Sequence, residues 1–159
     1  MSTESAEELR EGASEIKTAL LVGVYTTKLE RSICEEHLVE LAALADTLGI
    51  EVVDSHPCPV RKLDPGTYIG KGKVQELAEH AEKLGVDAII FDDEISPNQQ
   101  RNLEKHFKRP VLDRTEVILE IFADRAQTKE ATLQIELAKI RYQLPRLKRM
   151  WTHLSRQKV

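Results

Sequence analysis

The chain has 159 residues, of which 41% are apolar, 31% charged and 4% aromatic, and its formal net charge is −4. That length supplies one ordinary domain, or a small domain with an appendage. No apolar run reaches the roughly 18–20 residues of a membrane span, which excludes a helical integral membrane protein, and two cysteines, Cys34 and Cys58, are too few for a disulfide scaffold.

Residues 1–16 are polar and acidic, and flexibility is expected there. They carry neither the basic stretch nor the apolar stretch of a secretion signal, so the expected setting is a reducing cytoplasm. Thr18–Tyr25 (TALLVGVY) is a mostly apolar run that reads as a buried strand. Ser32 followed three residues later by Glu35 predicts a capping box that opens a helix. Leu38, Leu41, Ala45 and Leu48 give that helix one apolar face, and Gly49 ends it. Ile50–Asp54 predicts a second strand.

Pro57, Pro59, Pro65 and Gly66 make Ser55–Gly70 an irregular connection. A helix is predicted from about Lys73 to Leu84, closed by Gly85, and Val86–Phe91 follows as a third strand. Ser96-Pro97-Asn98-Gln99 combines a cap, a proline at the first helical position and a glutamine at the box position. That helix should end near Phe107, before a short fourth strand at Pro110–Asp113. The alternation predicts an α/β fold: a small, mainly parallel sheet of about four strands flanked by helices.

After Thr115 the pattern is all helical. Val117, Ile118, Ile121 and Phe122 form a short amphipathic piece, and a longer helix starts near Thr128. Leu133, Leu137, Ile140, Leu144, Leu147, Trp151 and Leu154 recur at alternating spacings of four and three, an a/d seam suited to burial against another helix. Pro145 should kink or break this helix. The expectation is half of a helical hairpin whose covering arm lies elsewhere, in a further segment, a second copy or a partner; folding back onto the body is the alternative. The organisation is therefore an acidic N-terminus at 1–16, an α/β domain at 17–114, and a helical extension with a basic tail at 115–159.

Charge is segregated along the chain. All 27 acidic residues lie at or before Glu136 together with 16 of the 23 basic ones, a balance of −11. The seven remaining bases, Lys139, Arg141, Arg146, Lys148, Arg149, Arg156 and Lys158, have no acid among them. A cationic tail on an acidic body points to a polyanionic partner. Trp151 and His153 among these cations suit stacking on unpaired bases, although Trp151 also belongs to the apolar seam.

Other chemistry is sparse. Gly70-Lys71-Gly72-Lys73 opens a helix, so Lys71, Gly72 and Lys73 form a weak phosphate-binding candidate; a plain turn explains them as well. No P-loop or dinucleotide fingerprint occurs. Asp92, Asp93 and Glu94 follow the third strand and could hold Mg²⁺, or could simply be solvated loop acids. His56-Pro57-Cys58 has too few ligands for a zinc site, and no hydrolase triad is recognisable.

Several ordered motifs closely resemble the N-terminal domain of the HflX family of ribosome-associated GTPases. They are Thr67-Tyr68-Ile69-Gly70-Lys71-Gly72-Lys73, Phe91 through Glu104 (FDDEISPNQQRNLE), Asp113-Arg114-Thr115, Leu133 through Ala138 (LQIELA), Leu144-Pro145-Arg146-Leu147 and Trp151 through Gln157 (WTHLSRQ). The resemblance covers about Leu20 to Gln157. It implies an α/β unit followed by a long helical hairpin. It also implies binding to the large ribosomal subunit, with the hairpin loop near the peptidyl-transferase RNA. Family members split ribosomes with GTP.

In the family, the Ser-Arg-Gln stretch leads into a glycine-rich loop, a returning helix and a P-loop domain that carries GTP and Mg²⁺. Here only Lys158-Val159 follow Gln157. The resemblance therefore implies a binding module without GTPase activity or cofactor of its own. Arg141, Arg146, Lys148, Arg149 and Arg156 would lie on ribosomal RNA phosphates, with Trp151 and His153 near the tip. The rival expectations are a nucleotide-binding α/β domain using Lys71, Lys73 and the Asp92–Glu94 acids, and an interaction subunit that pairs through the seam.

Overall fold

The computed structural model describes residues 16–147. The apolar run Thr18–Tyr25 forms β1, an interior strand buried on both faces. It pairs in parallel with β2 (Glu51–Pro59) on one side and β3 (Ala88–Phe91) on the other. β4 (Val111–Asp113) adds in parallel to β3, which gives the sheet order β2-β1-β3-β4. Helices α1 (Arg31–Thr47), α2 (Lys71–Leu84), α3 (Pro97–Phe107), α4 (Arg114–Arg125) and α5 (Lys129–Gln143) complete the described chain.

Strand alternation sorts the core into two layers. Leu20, Val22, Ile89, Phe91 and Val111 face α2 and α3, where they meet Val74, Leu77, Leu103 and Phe107. Ala19, Leu21, Ile90 and Leu112 face α1 and α4, where they meet Leu38, Leu41, Val117 and Ile121. On that second face Gly23 lets α1 approach closely. A Cβ there would lie 2.8 Å from Cys34 Sγ and 3.2 Å from the Leu38 side chain.

The α/β architecture and the parallel sheet follow the sequence expectation, and two local details differ. The Ser32–Glu35 capping box does not form. The chain enters α1 through a 3-10 turn at Lys28–Glu30, so Ser32 already lies inside the first helical turn. Glu30 instead folds back to accept from the Thr26 amide (3.1 Å) and hydroxyl (2.9 Å), while Glu35 pairs with Arg31 at 3.4 Å. The second strand does not stop at Asp54. It runs on to Pro59 and takes His56, Pro57 and Cys58 out of the predicted loop, because β1 is long enough to pair with all of them. Cys58 is fully buried there. The predicted Ser96 box is present in full, with Pro97 in the first turn.

Both borders of the sheet are closed by local chemistry. At β4, Val111 points its peptide group away from β3. Its N–H donates to Glu104 Oε2 (3.0 Å) and its carbonyl accepts from Gln100 Nε2 (2.6 Å), both from α3. This explains why a glutamine and a glutamate on α3 are fully buried. At β2, the Val60 amide reaches across to the Tyr25 carbonyl, so Ser55, Pro57 and Pro59 turn outward. Proline has no N–H to leave unpaired, and the Ser55 amide donates to Asp54 Oδ1 at 2.9 Å.

The predicted break at Pro145 is present as well. Helix α5 stops at Gln143 and passes into a 3-10 turn over Leu144–Arg146. The expectations for residues 1–15 and for Lys148, Arg149, Trp151, His153, Leu154 and Arg156 lie outside the described residues.

Candidate functional site

Four of the motifs that carry the resemblance, Thr67–Lys73, Phe91–Glu104, Asp113–Thr115 and Leu144–Leu147, meet at the carboxyl end of the sheet. The loop before α2 is pinned by the start of α3. Gln99 Nε2 donates to the Asp64 carbonyl and Asn102 Nδ2 to the Gly66 carbonyl, each at 2.8 Å. Asp64 closes the loop by accepting from the Gly66 and Thr67 amides, which holds its carboxyl below its ordinary range. Tyr68 sits in the left-handed region at φ 66°, unusual for a bulky residue. Its ring packs edge-on against Phe91, and its hydroxyl donates to Asp93 at 2.7 Å. Burial, and then the Asp93 carboxylate, raise the phenol above its ordinary range, so it stays a donor. The sequence singled out Asp93 but gave no sign that Tyr68 would be its partner.

The acids after β3 are drawn apart. Asp92 is buried and receives Arg114 through Nε (2.8 Å) and Nη2 (2.7 Å), with His37 Nδ1 at 3.6 Å. Asp93 is engaged by Tyr68, and Glu94 faces solvent. Among the described residues no three His, Cys, Asp or Glu side chains are grouped so as to hold a metal ion. Of the three carboxylates expected as an Mg²⁺ candidate, Asp92 and Asp93 thus point to separate partners and Glu94 to solvent. Cys34, beside this end of the sheet, has its thiol pushed up to about 11, first by burial and then by Asp92 and Asp93; burial does the same to Cys58. Neither thiol is poised as a nucleophile.

Lys71, Gly72 and Lys73 do open a helix. Gly70 occupies the cap position of α2 without a side-chain cap bond. Lys73 is paired with Glu76 at 3.3 Å. The adjoining groove of about 770 Å³ sets Lys71, Lys83 and Lys108 against Glu79 and Glu82, so its charge is mixed.

The most distinctive surface belongs to α5. No residue of this helix is buried. Leu133, Leu137, Ile140, Leu144 and Leu147, the described part of the seam, are 45–65% exposed. They do not fold back onto the body. The opposite face is the attached one: Ile135, Lys139 and Tyr142 are half-buried, and Lys139 forms an ion pair with Glu120 of α4.

Arg141 is exposed on α5. Arg146 is not: it is 6% exposed. Its Nε donates to Gln100 Oε1 (3.0 Å), its Nη1 to the Tyr142 carbonyl (3.1 Å) and its Nη2 to the Ile95 carbonyl. The guanidinium also lies 3.8 Å from the Tyr142 ring centroid. Expected on RNA, this arginine is turned inward, because the Pro145 turn aims it at the start of α3. Tyr142 in turn donates to Asp113, which also accepts from the Ile95 amide (3.1 Å) and caps α4 at Glu116 (3.0 Å). Sequence reasoning missed Gln100 and Tyr142 as partners of this arginine, and Asp113 as the partner of Tyr142. The clue was that Asp113 ends a strand just before a helix, the usual place for a cap.

Comparisons with known proteins agree with this geometry. A family model described as GTP-binding GTPase N-terminal matches residues 35–123, and one described as GTP-binding GTPase Middle Region matches residues 125–159. GTPase HflX of Chlamydia pneumoniae is 50% identical over 141 residues, which cover 88% of this chain and 30% of that protein. GTPase HflX of Escherichia coli K12 is 41% identical over 140 residues, 88% of this chain and 32% of that protein. A crystal structure of a GTP-binding protein from Sulfolobus solfataricus, in complex with GDP, aligns with a TM-score of 0.59 and 31% identity over 83% of this chain and 38% of that one. The chain thus spans about a third of the length of these relatives. Carrying the N-terminal region, its motifs and its fold, this chain belongs to the HflX family of GTP-binding GTPases.

Proposed function

We propose that this region is the part of an HflX-type GTPase that grips the large ribosomal subunit. The body docks by shape, and the segment after α5 lies on ribosomal RNA. The observation that carries this reading is the charge segregation: seven bases and no acid after Glu136, on a chain otherwise at −11. Helix α5 is held to the body by one face, and its other face, with Arg141, is open. Cations without neighbouring acids release condensed counterions from an RNA backbone, and that release drives salt-dependent binding.

In this reading the cytoplasm is the place of action. Among the described residues no helix is long and apolar enough to cross a membrane. GTP and Mg²⁺ belong to the two thirds of the relatives that this chain does not span, where hydrolysis and ribosome splitting would be completed. The exposed seam is the bed for a further helix of the whole GTPase, or for a second copy.

The test is binding to purified large subunits across a salt series. Glutamine at Arg141, Lys148, Arg149 and Arg156 together should weaken binding. It should also flatten the dependence of log affinity on log salt by roughly 0.7–0.9 for each phosphate that is no longer neutralised. Unchanged affinity and slope in the fourfold variant would refute the assignment.

A further inference from the structure

The geometry points to Arg146 and Tyr142 as a latch that fixes the angle at which the helical arm leaves the α/β body. The consequence for RNA rests on the function proposed above; the latch itself does not.

A helix that buries no residue has little hydrophobic anchorage, so its direction must come from directional bonds. Such bonds gather at its carboxyl end. Arg146 bonds the Gln100 side chain and the Ile95 carbonyl on the body, and the Tyr142 carbonyl on its own helix. Tyr142 reaches Asp113 at the junction of β4 and α4. The planar guanidinium sits over the Tyr142 ring at 3.8 Å, so the two side chains hold each other's rotamers.

Gln100 connects the latch to the sheet border. Its Nε2 donates to the Val111 carbonyl and to Glu116 Oε1, while its Oε1 receives Arg146. Body groups from two places thus converge on the end of the arm: Ile95 and Gln100 around the start of α3, and Asp113 at the end of β4, while Glu116 of α4 holds Gln100 from behind. Four of the seven bases follow Arg146 in sequence, so the latch sets the direction in which the chain leaves the body before them.

The experiment uses the whole chain, with spin labels at Glu136→Cys on the exposed face of α5 and Glu79→Cys on the exposed face of α2; Cys34 and Cys58 are buried. The parent should give a narrow distance distribution. Arg146→Met should broaden it, and Arg146→Lys should also broaden it, because an ammonium keeps the charge but cannot make the forked set of bonds. Tyr142→Phe removes only a hydroxyl and should broaden it less.

Hydrogen exchange in the same variants should show α5 amides losing protection while β1 amides keep theirs. A distribution as narrow in Arg146→Met as in the parent would overturn the latch. Equal loss of protection in β1 would also overturn it, by making Arg146 a general core residue.

Large-subunit binding separates the two ideas. If a tenth of the Arg146→Met molecules hold the competent angle, affinity falls about tenfold, and the salt slope stays unchanged. A slope reduced by about one unit would mean that Arg146 lies on a phosphate, and the latch would be wrong. A parent chain that fails to bind the subunit refutes the proposed function, while the distance measurement still decides the latch.

Discussion

In the α/β body leucines such as Leu20, Leu41 and Leu103 are buried and polar side chains seal borders and caps; in helix α5 the leucines face outward and the attachment is made by charged and hydrogen-bonding groups. The two regions draw on the same residue types with opposite assignments. Apolar burial is strong but non-directional, and it suits a body that needs to be compact. Hydrogen bonds contribute less net stability yet fix geometry, and they suit an arm that must point somewhere. An arm attached in this way keeps its apolar face free for another element.

This division implies a ranking of mutational effects. The largest belongs to the body core. Phe107→Ala removes a fully buried ring from the layer beneath α2 and α3, and should cost about 3–5 kcal/mol of unfolding free energy in denaturant titration. Gly23→Ala comes next, because a methyl group 2.8 Å from Cys34 Sγ forces α1 outward. Overpacking of this kind costs about 1–3 kcal/mol, and a second change, Cys34→Ala, should restore part of the loss. The smallest effect belongs to the arm. Leu137→Gln changes a half-exposed residue and should leave stability within about 0.5 kcal/mol of the parent. A loss of 2 kcal/mol or more in Leu137→Gln (about what truncating a buried leucine costs) would show that the seam is already covered in this chain.

Much of the body was legible in the sequence because its signals are local. Apolar runs between glycines and prolines marked β1 and β3, and Ser96-Pro97 with Gln99 fixed the start of α3. Gly49 and Gly85, at the ends of α1 and α2, both take the positive φ expected of helix stops. The failures share a physical cause: each was decided by a partner distant in sequence or by the turn that precedes it. β2 runs to Pro59 because β1 is there to pair with it, although the prolines read as loop. Ser32 looked like a cap, but the preceding turn had already started the helix.

At the candidate site the seam was legible from its spacing, and its exposure in the structure agrees. The role of Arg146 was not. Its neighbours in sequence are cations, while the groups that bind it, Ile95 and Gln100, lie 51 and 46 residues away. Asp92 and Asp93 were legible as a carboxylate cluster, but only the fold shows that Arg114 and Tyr68 draw them apart.

The closed borders of the sheet have a consequence for how the molecule can associate. Strand exchange, domain swapping and fibril templating all begin by adding a chain to an open ladder. With the Val111 peptide group already occupied, and with prolines and an occupied amide on the far rim, this sheet offers an incoming backbone few places to register. Association is left to helix surfaces, where side-chain identity decides which partners are accepted.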